Sequence, residues 1–112
     1  MDNKLEVSYD EFINFHFCVG EIVACEEVKK SRKLLCFQVD TGGTIKQIVS
    51  GLRDYCVPEE VIGKKVMVLS NLKPATMGGL VSEGMILSAE DRQGRLSFMV
   101  PETEVEIGAE IC

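Results

Sequence analysis

The sequence predicts an all-β fold: a small five-stranded barrel with short helices and a β extension at its C-terminal end. Three observations predict it. Six apolar runs of five to nine residues carry the β-branched and small side chains that suit a pleated, half-buried surface, and each is short for a core helix. Turns rich in glycine and proline punctuate them. The helix signals are brief, one before the first run and one between the third and the fourth.

Taken in order, Ser8-Tyr9-Asp10-Glu11 matches a capping box, in which the Ser8 hydroxyl accepts from the Glu11 N–H while the Glu11 carboxylate accepts from the N–H of Ser8. A short helix is predicted over 9–15. The first strand covers 17–25, and Gly20 inside it predicts a bulge or sharp bend where the strand curls between two sides of a barrel. Strands at 34–40 and 44–50 flank Thr41-Gly42-Gly43, whose glycines supply the positive φ of a tight hairpin. Pro58 to Gly63 reads as a short helix, with Glu59 and Glu60 near the positive end of its dipole and Gly63 ending it. The fourth strand covers 65–70. A long loop with a Gly78-Gly79 turn leads to the fifth at 84–89, and a last hairpin turns at Asp91-Arg92-Gln93-Gly94 into 96–100. Three strands, a small helix, a fourth strand and a fifth after a long loop is the order of an OB-fold, a Greek-key barrel whose face and loops often bind oligonucleotides.

A chain of 112 residues is expected to form one domain over 1–112, large enough to bury a core without staples. Its apolar runs fall far short of the roughly 20 residues that span a bilayer, and no apolar stretch follows Met1-Asp2-Asn3-Lys4 as in a signal peptide, so a soluble, cytoplasmic protein without a membrane partner is expected. The five cysteines form an odd set without a Cys-x-x-Cys pair, and His16 is the one histidine, which supports neither a disulfide framework nor a metal site. Cys18, Cys25 and Cys36 sit in strand-like runs as small buried hydrophobes; Cys112 is expected to be exposed. No Ser–His–Asp or Cys–His set suggests itself, and the glycine pairs lack a phosphate-loop context, so neither catalysis nor a cofactor is expected.

The net charge of −6 argues at first against a nucleic-acid partner. Its distribution argues the other way. Residues 28–76 hold nine basic residues and four acids, a local +5, whereas the rest holds three and fourteen, a local −11. Charge segregated in this way presents a basic face on an acidic protein, and the local field is what steers a polyanion.

Four stretches carry a family pattern: Gln47-Ile48-Val49-Ser50-Gly51-Leu52, Gly63-Lys64-Lys65-Val66, Asn71-Leu72-Lys73-Pro74-Ala75 and Ser82-Glu83-Gly84-Met85-Ile86-Leu87. In order and spacing they resemble the tRNA-binding domain found at the C-terminus of bacterial methionyl-tRNA synthetases and as small free-standing proteins, over about residues 12–111. The resemblance implies an OB-fold that binds tRNA, or structured RNA like it, without catalysis, and a homodimer, for which Val100, Val105 and Ile107 are available unless they close the barrel. The candidate contacts are Lys29, Lys30, Arg32 and Lys33 in the loop between the first two strands, then Lys46 and Lys73, with Asn71 bonding loop backbone. In the last motif Ser82 offers a hydroxyl to phosphate or ribose, Gly84 admits a close backbone, and Met85 offers a soft surface to a base.

The chain also departs from the pattern. Thr76 and Gly78 stand where the family has lysine and arginine, Cys18 where it has arginine, and Glu21 where lysine is common. Phe12, Phe15, Phe17, Phe37 and Phe98 lie mostly in apolar company, so no stacking platform is visible and recognition rests on shape and backbone. The acidic total keeps a second reading open: a protein-interaction or scaffold dimer on the same barrel, including the secretion-chaperone branch of the superfamily, with little affinity for RNA.

Overall fold

Strand β1 (Phe17–Glu27) organises the molecule because it serves two ladders in succession. The computed structural model describes residues 4–112; residues 1–3, the start of the segment expected to carry no signal peptide, lie outside the described residues. Phe17 to Glu21 pair antiparallel with β4 (Lys65–Leu69), and Glu21 to Glu27 pair with β2 (Leu35–Asp40). β3 (Ile45–Ser50) and β7 (Met85–Ile86) complete a curled five-stranded antiparallel sheet in the order β3-β2-β1-β4-β7, the half-barrel of an OB-fold.

The switch between ladders needs a bulge, and it falls at Val23, not at Gly20: the register slips between Ile22 and Ala24. Ile22 is held on the β4 side, its N–H donating to Lys64 O and its carbonyl accepting from Gly63, so the extra residue comes just after it. Gly20 has a different task. A Cβ there would stand 2.7 Å from Val39 Cγ1 and 2.9 Å from Val68 Cγ2, so glycine lets the facing strands close over β1.

The barrel core consists of Ile22, Leu35, Phe37, Val39, Ile48, Val66 and Val68, all without exposure, each contributing about 1.5–3 kcal/mol by burial. Helix α2 (Pro58–Val61) begins at its proline as expected and plugs one end with Val61. Helix α1 (Tyr9–Phe12) has the expected capping box but is shorter than predicted. Beyond Phe12 the chain tightens, Asn14 and Phe15 donating to the carbonyls three residues before them, and Phe12 and Phe15 both stack on Phe17, with centroids 6.1 and 6.0 Å away.

The fifth predicted strand is two pieces. β7 pairs with β4, Leu87 donates to Met67 O, and β8 (Ser88–Glu90) then turns away to pair with β9 (Leu96–Phe98). Phe98 meets Phe37 edge-on at 6.5 Å, so this hairpin packs against the core. The last residues run beside the first half of β1, with Val19 donating to Ala109 O and Ile111 to Phe17 O. That segment covers the edge β2 leaves free, while Val100 stays 59% exposed.

The stretch between β4 and β7 contains an element the sequence reading leaves as loop. β5 (Ala75–Met77) and β6 (Leu80–Ser82) form a hairpin across Gly78 and Gly79, with φ +58° and +82°. Met77 and Leu80 pack with Leu34 on Val28, Cys36 and Val49, a second small core on the outer face of β2 and β3.

Candidate nucleic-acid interface

The 28–34 loop is built so that its cations stay free. Val28 is buried beneath the hairpin and its N–H donates to Leu34 O, closing the loop. Ser31 braces the interior: its N–H donates to Val28 O and its hydroxyl accepts from the N–H of Lys33. Arg53 does most of the fixing. Its guanidinium donates to Ser31 O at 2.5 Å and pairs with Glu27 at 2.8 Å, while its backbone N–H donates to Lys33 O. Lys29, Lys30, Arg32 and Lys33 are all exposed, and none belongs to the three ion pairs among the described residues, which involve Arg53, Lys65 and Arg95.

The hairpin brings this loop together with the third and fourth motifs. On one side, Lys29 and Lys30 line a groove of about 470 Å³ with Gly78, Gly79 and Leu80 and with the acids Glu26 and Glu27, of which Glu27 is paired with Arg53. On the other, Lys73 and Met85 line a cleft of about 180 Å³ with Leu72, Met77 and Gly51. The Lys33 carbonyl lies 4.0 Å from where a Cβ on Gly51 would stand, so the loop borders this cleft as well. Lys73 is exposed and Met85 45% exposed.

Other predicted site residues have different tasks. Ser82 is buried, its hydroxyl accepting from the Val49 N–H at 2.9 Å and lying 3.3 Å from Gly84 O, so it is spent on the fold and not on offer to phosphate or ribose. Its neighbour Glu83 accepts from the Gln47 N–H through its carboxylate and donates its own N–H to Gln47 O. Together the two side chains and one backbone group stand in for a strand along the edge of β3, satisfying donors that would otherwise be left unpaired. Gly84 does admit a close backbone, but that of β4: a Cβ there would lie 2.8 Å from Leu69 O. Asn71 bonds loop backbone as expected, accepting from the His16 N–H and donating to Asn14 O. Lys46 pairs with Val39 on the inner face of the sheet and stands near Cys18, so it does not join the loop cations.

The family departures separate in the same way. Cys18 has no exposure and lies in the barrel core, where burial pushes its thiol up against the opposing effects of the Ser70 hydroxyl and the Lys46 cation. Glu21 lines a cleft with Gly63, Lys65 and residues 100–104, away from the loop cations. Thr76 and Gly78 alone belong to the hairpin, Thr76 exposed on β5. Arg53, Leu72 and Glu83 also shape the site, although their sequence positions do not mark them as contacts. For Arg53 the available signal was an isolated cation just after Ser50-Gly51-Leu52, with the acids Glu26 and Glu27 free to meet it.

His16 Nδ1 and Ser70 Oγ lie 2.5 Å apart, and the Ser70 hydroxyl also donates to His16 O, so the pair ties β1 to β4. The outer face of β2 and β3 presents Gln38, Asp40, Ile45 and Gln47 beyond the hairpin and carries no aromatic ring. No group of three or more His, Cys, Asp or Glu side chains suited to a metal occurs among the described residues.

The family model for the tRNA binding domain matches residues 17–110. The chain belongs to the tRNA-binding domain family. Methionine–tRNA ligase of Methanocaldococcus jannaschii is 44% identical over 108 residues, 96% of this chain but 16% of that protein, so the domain spans about a sixth of the ligases it resembles. A methionyl-tRNA synthetase-related protein from Pyrococcus horikoshii superposes with a TM-score of 0.89 at 35% identity, over 97% of this chain and all of that one. The chaperone CsaA of Bacillus anthracis superposes with a TM-score of 0.86 at 21% identity, over 96% of this chain and all of its own, a likeness of fold alone.

Proposed function

We propose that this tRNA-binding-type domain binds tRNA, or RNA folded like it, by phosphate contacts from Lys29, Lys30, Arg32, Lys33 and Lys73, and that it catalyses no reaction. One observation carries the reading: four exposed cations outside the three ion pairs among the described residues, on a loop braced by Arg53, beside a hairpin cleft that also holds Lys73. Each phosphate contact releases counterions, so binding is expected to weaken steeply with salt. The absence of aromatic rings on the outer face of β2 and β3 favours recognition of a shaped backbone over a sequence. The free thiols among the described cysteines suit a reducing cytoplasm.

The active form is a homodimer. Leu5, Val7, Tyr9, Ile13 and Phe15 are 90%, 70%, 75%, 55% and 53% exposed, apolar side chains of one short segment that a second copy would cover, and two weak sites on one symmetric body gain avidity without new contacts. The same segment favours the second reading, a protein-interaction or scaffold module. Binding of bulk tRNA at about 50 mM salt separates the two, since low salt strengthens phosphate contacts. The RNA reading expects micromolar affinity there, and no binding would leave the scaffold reading. Light scattering across a dilution series tests the dimer: a mass fixed at 12.4 kDa throughout would refute it.

A further inference from the structure

The cleft bounded by β3, β7 and the hairpin is distinct in character from the groove beside it, which is lined by charges of both signs, Glu26 and Glu27 with Lys29 and Lys30. Its wall is mostly apolar, and two of its large side chains, Leu72 and Met85, are 42% and 45% exposed. At about 180 Å³ it is smaller than the roughly 300–1,000 Å³ of pockets that enclose whole drug-sized ligands. A phosphate gains nothing from such a wall. A single flat ring system fits its size, and the thioethers of Met77 and Met85 make favourable contacts with a ring.

Charge decides what kind of ring. Lys73 is part of the wall, and the backbone carbonyl of Lys33, whose side chain is exposed, borders it through Gly51. The nearby carboxylate of Glu83 is bonded to the Gln47 N–H, which lowers its power to repel an anion. An apolar slot with one cation in its wall and the basic 28–34 loop at its border complements a nucleotide, base inward and phosphates outward. We propose that this cleft receives one unpaired nucleobase of a structured RNA, the adjoining phosphates meeting Lys33 and Lys73. The proposal rests on the RNA reading above and adds a selectivity to it. A paired base is stacked and its faces are covered, so only a bulge, loop or single-stranded end presents a base without the cost of unpairing. The polar atoms within reach are few, Ser50 and the Gly51 backbone among them, so the slot favours an extruded base over a stacked one without selecting strongly among bases.

The test uses two RNA hairpins with the same stem, one uninterrupted and one carrying a single bulged 2-aminopurine, a fluorescent adenine analogue. The protein should bind the bulged stem about tenfold more tightly, and the emission of the bulged base should change on binding. In a Leu72→Ala, Met85→Ala double variant, shown folded by its melting transition, the ratio of the two affinities should fall close to one. Equal affinities of the wild-type protein for both stems would overturn the base subsite while leaving the RNA reading intact. If neither stem bound at low salt, both would fall. Equal affinities together with capture of an apolar peptide that Met85→Ala weakens would also overturn the proposal and give the cleft to a protein side chain.

Discussion

Two irregular segments lie against the same barrel and use their charges in opposite ways. In the 28–34 loop one arginine, Arg53, spends itself on a carbonyl and a carboxylate, and four other cations remain exposed. In the 99–111 segment, Lys65 is spent on the Glu104 carboxylate and the Val105 carbonyl, which pins an acidic strip along the barrel. The local geometry is alike: a partly buried cation, its side chain 28% exposed in Arg53 and 20% in Lys65, holds a loop by its backbone. The difference is what is left over, free cations in one case and free acids in the other. The overall charge of −6 hides this, because it averages a surface that attracts phosphate with one that repels it.

The sharpest way to break the comparison is to remove the two pins. Arg53→Ala should cost about 1–2 kcal/mol of stability, the value of charge-assisted bonds discounted for partial exposure, and should also weaken tRNA binding by loosening the loop. Lys65→Ala should cost about 1 kcal/mol and leave tRNA affinity unchanged. Denaturant titration beside an affinity measurement separates the two.

The hairpin offers the next test. Gly78→Arg restores the charge the family carries but places a side chain at φ +58°, with its Cβ 2.9 Å from Leu34 Cδ1 and 3.1 Å from Val28 Cγ1. It should lower stability by about 1 kcal/mol or more, read as a fall in melting temperature, and disturb the loop it was meant to assist. Thr76→Lys faces no such obstacle and should raise tRNA affinity several-fold while making its salt dependence steeper. Removing a cation, as in Lys33→Ala or Lys73→Ala, should weaken binding by about 1 kcal/mol each, and Lys64→Ala, outside the loop and both clefts of the hairpin, should not.

The smallest effect concerns the thiols. Burial, reinforced by the neighbouring Cys56 and Cys36, pushes Cys25 up to about 12 from 9.0, so its thiolate is about a thousandfold scarcer at neutral pH. Alkylation timed by mass spectrometry should mark exposed Cys112 first, half-buried Cys25 more slowly and buried Cys18 only on unfolding. Between pH 9.0 and about 12 the unfolded chain ionises Cys25 while the folded chain resists, so stability should fall as pH rises through that window.

What could be read from the sequence was what neighbouring residues decide. The capping box at Ser8 and Glu11, the glycine hairpin at 42–43 and the proline-led helix at 58 depend on contacts a few residues long, and each occurs. The β5–β6 hairpin escapes such reading because its strands are three residues each and rest on Val49 and Gln47, more than thirty residues away. The bulge moves from Gly20 to Val23 for a similar reason, since the Gly63 and Lys64 backbone decides where β1 changes partners. In the candidate site, the loop cations and Lys73 were legible as charge at a recognisable place. The burial of Ser82 and Cys18 was not, because a motif records which residues occur together and not whether they serve the ligand or the barrel.

The central claim, that a few free cations on one face bind RNA phosphates, is tested most directly by the salt dependence of tRNA affinity. A plot of log affinity against log salt should be linear with a slope of roughly −2 to −4, because only some of the five candidate cations reach phosphates at once. A slope near zero, or no binding at about 50 mM salt, would contradict it.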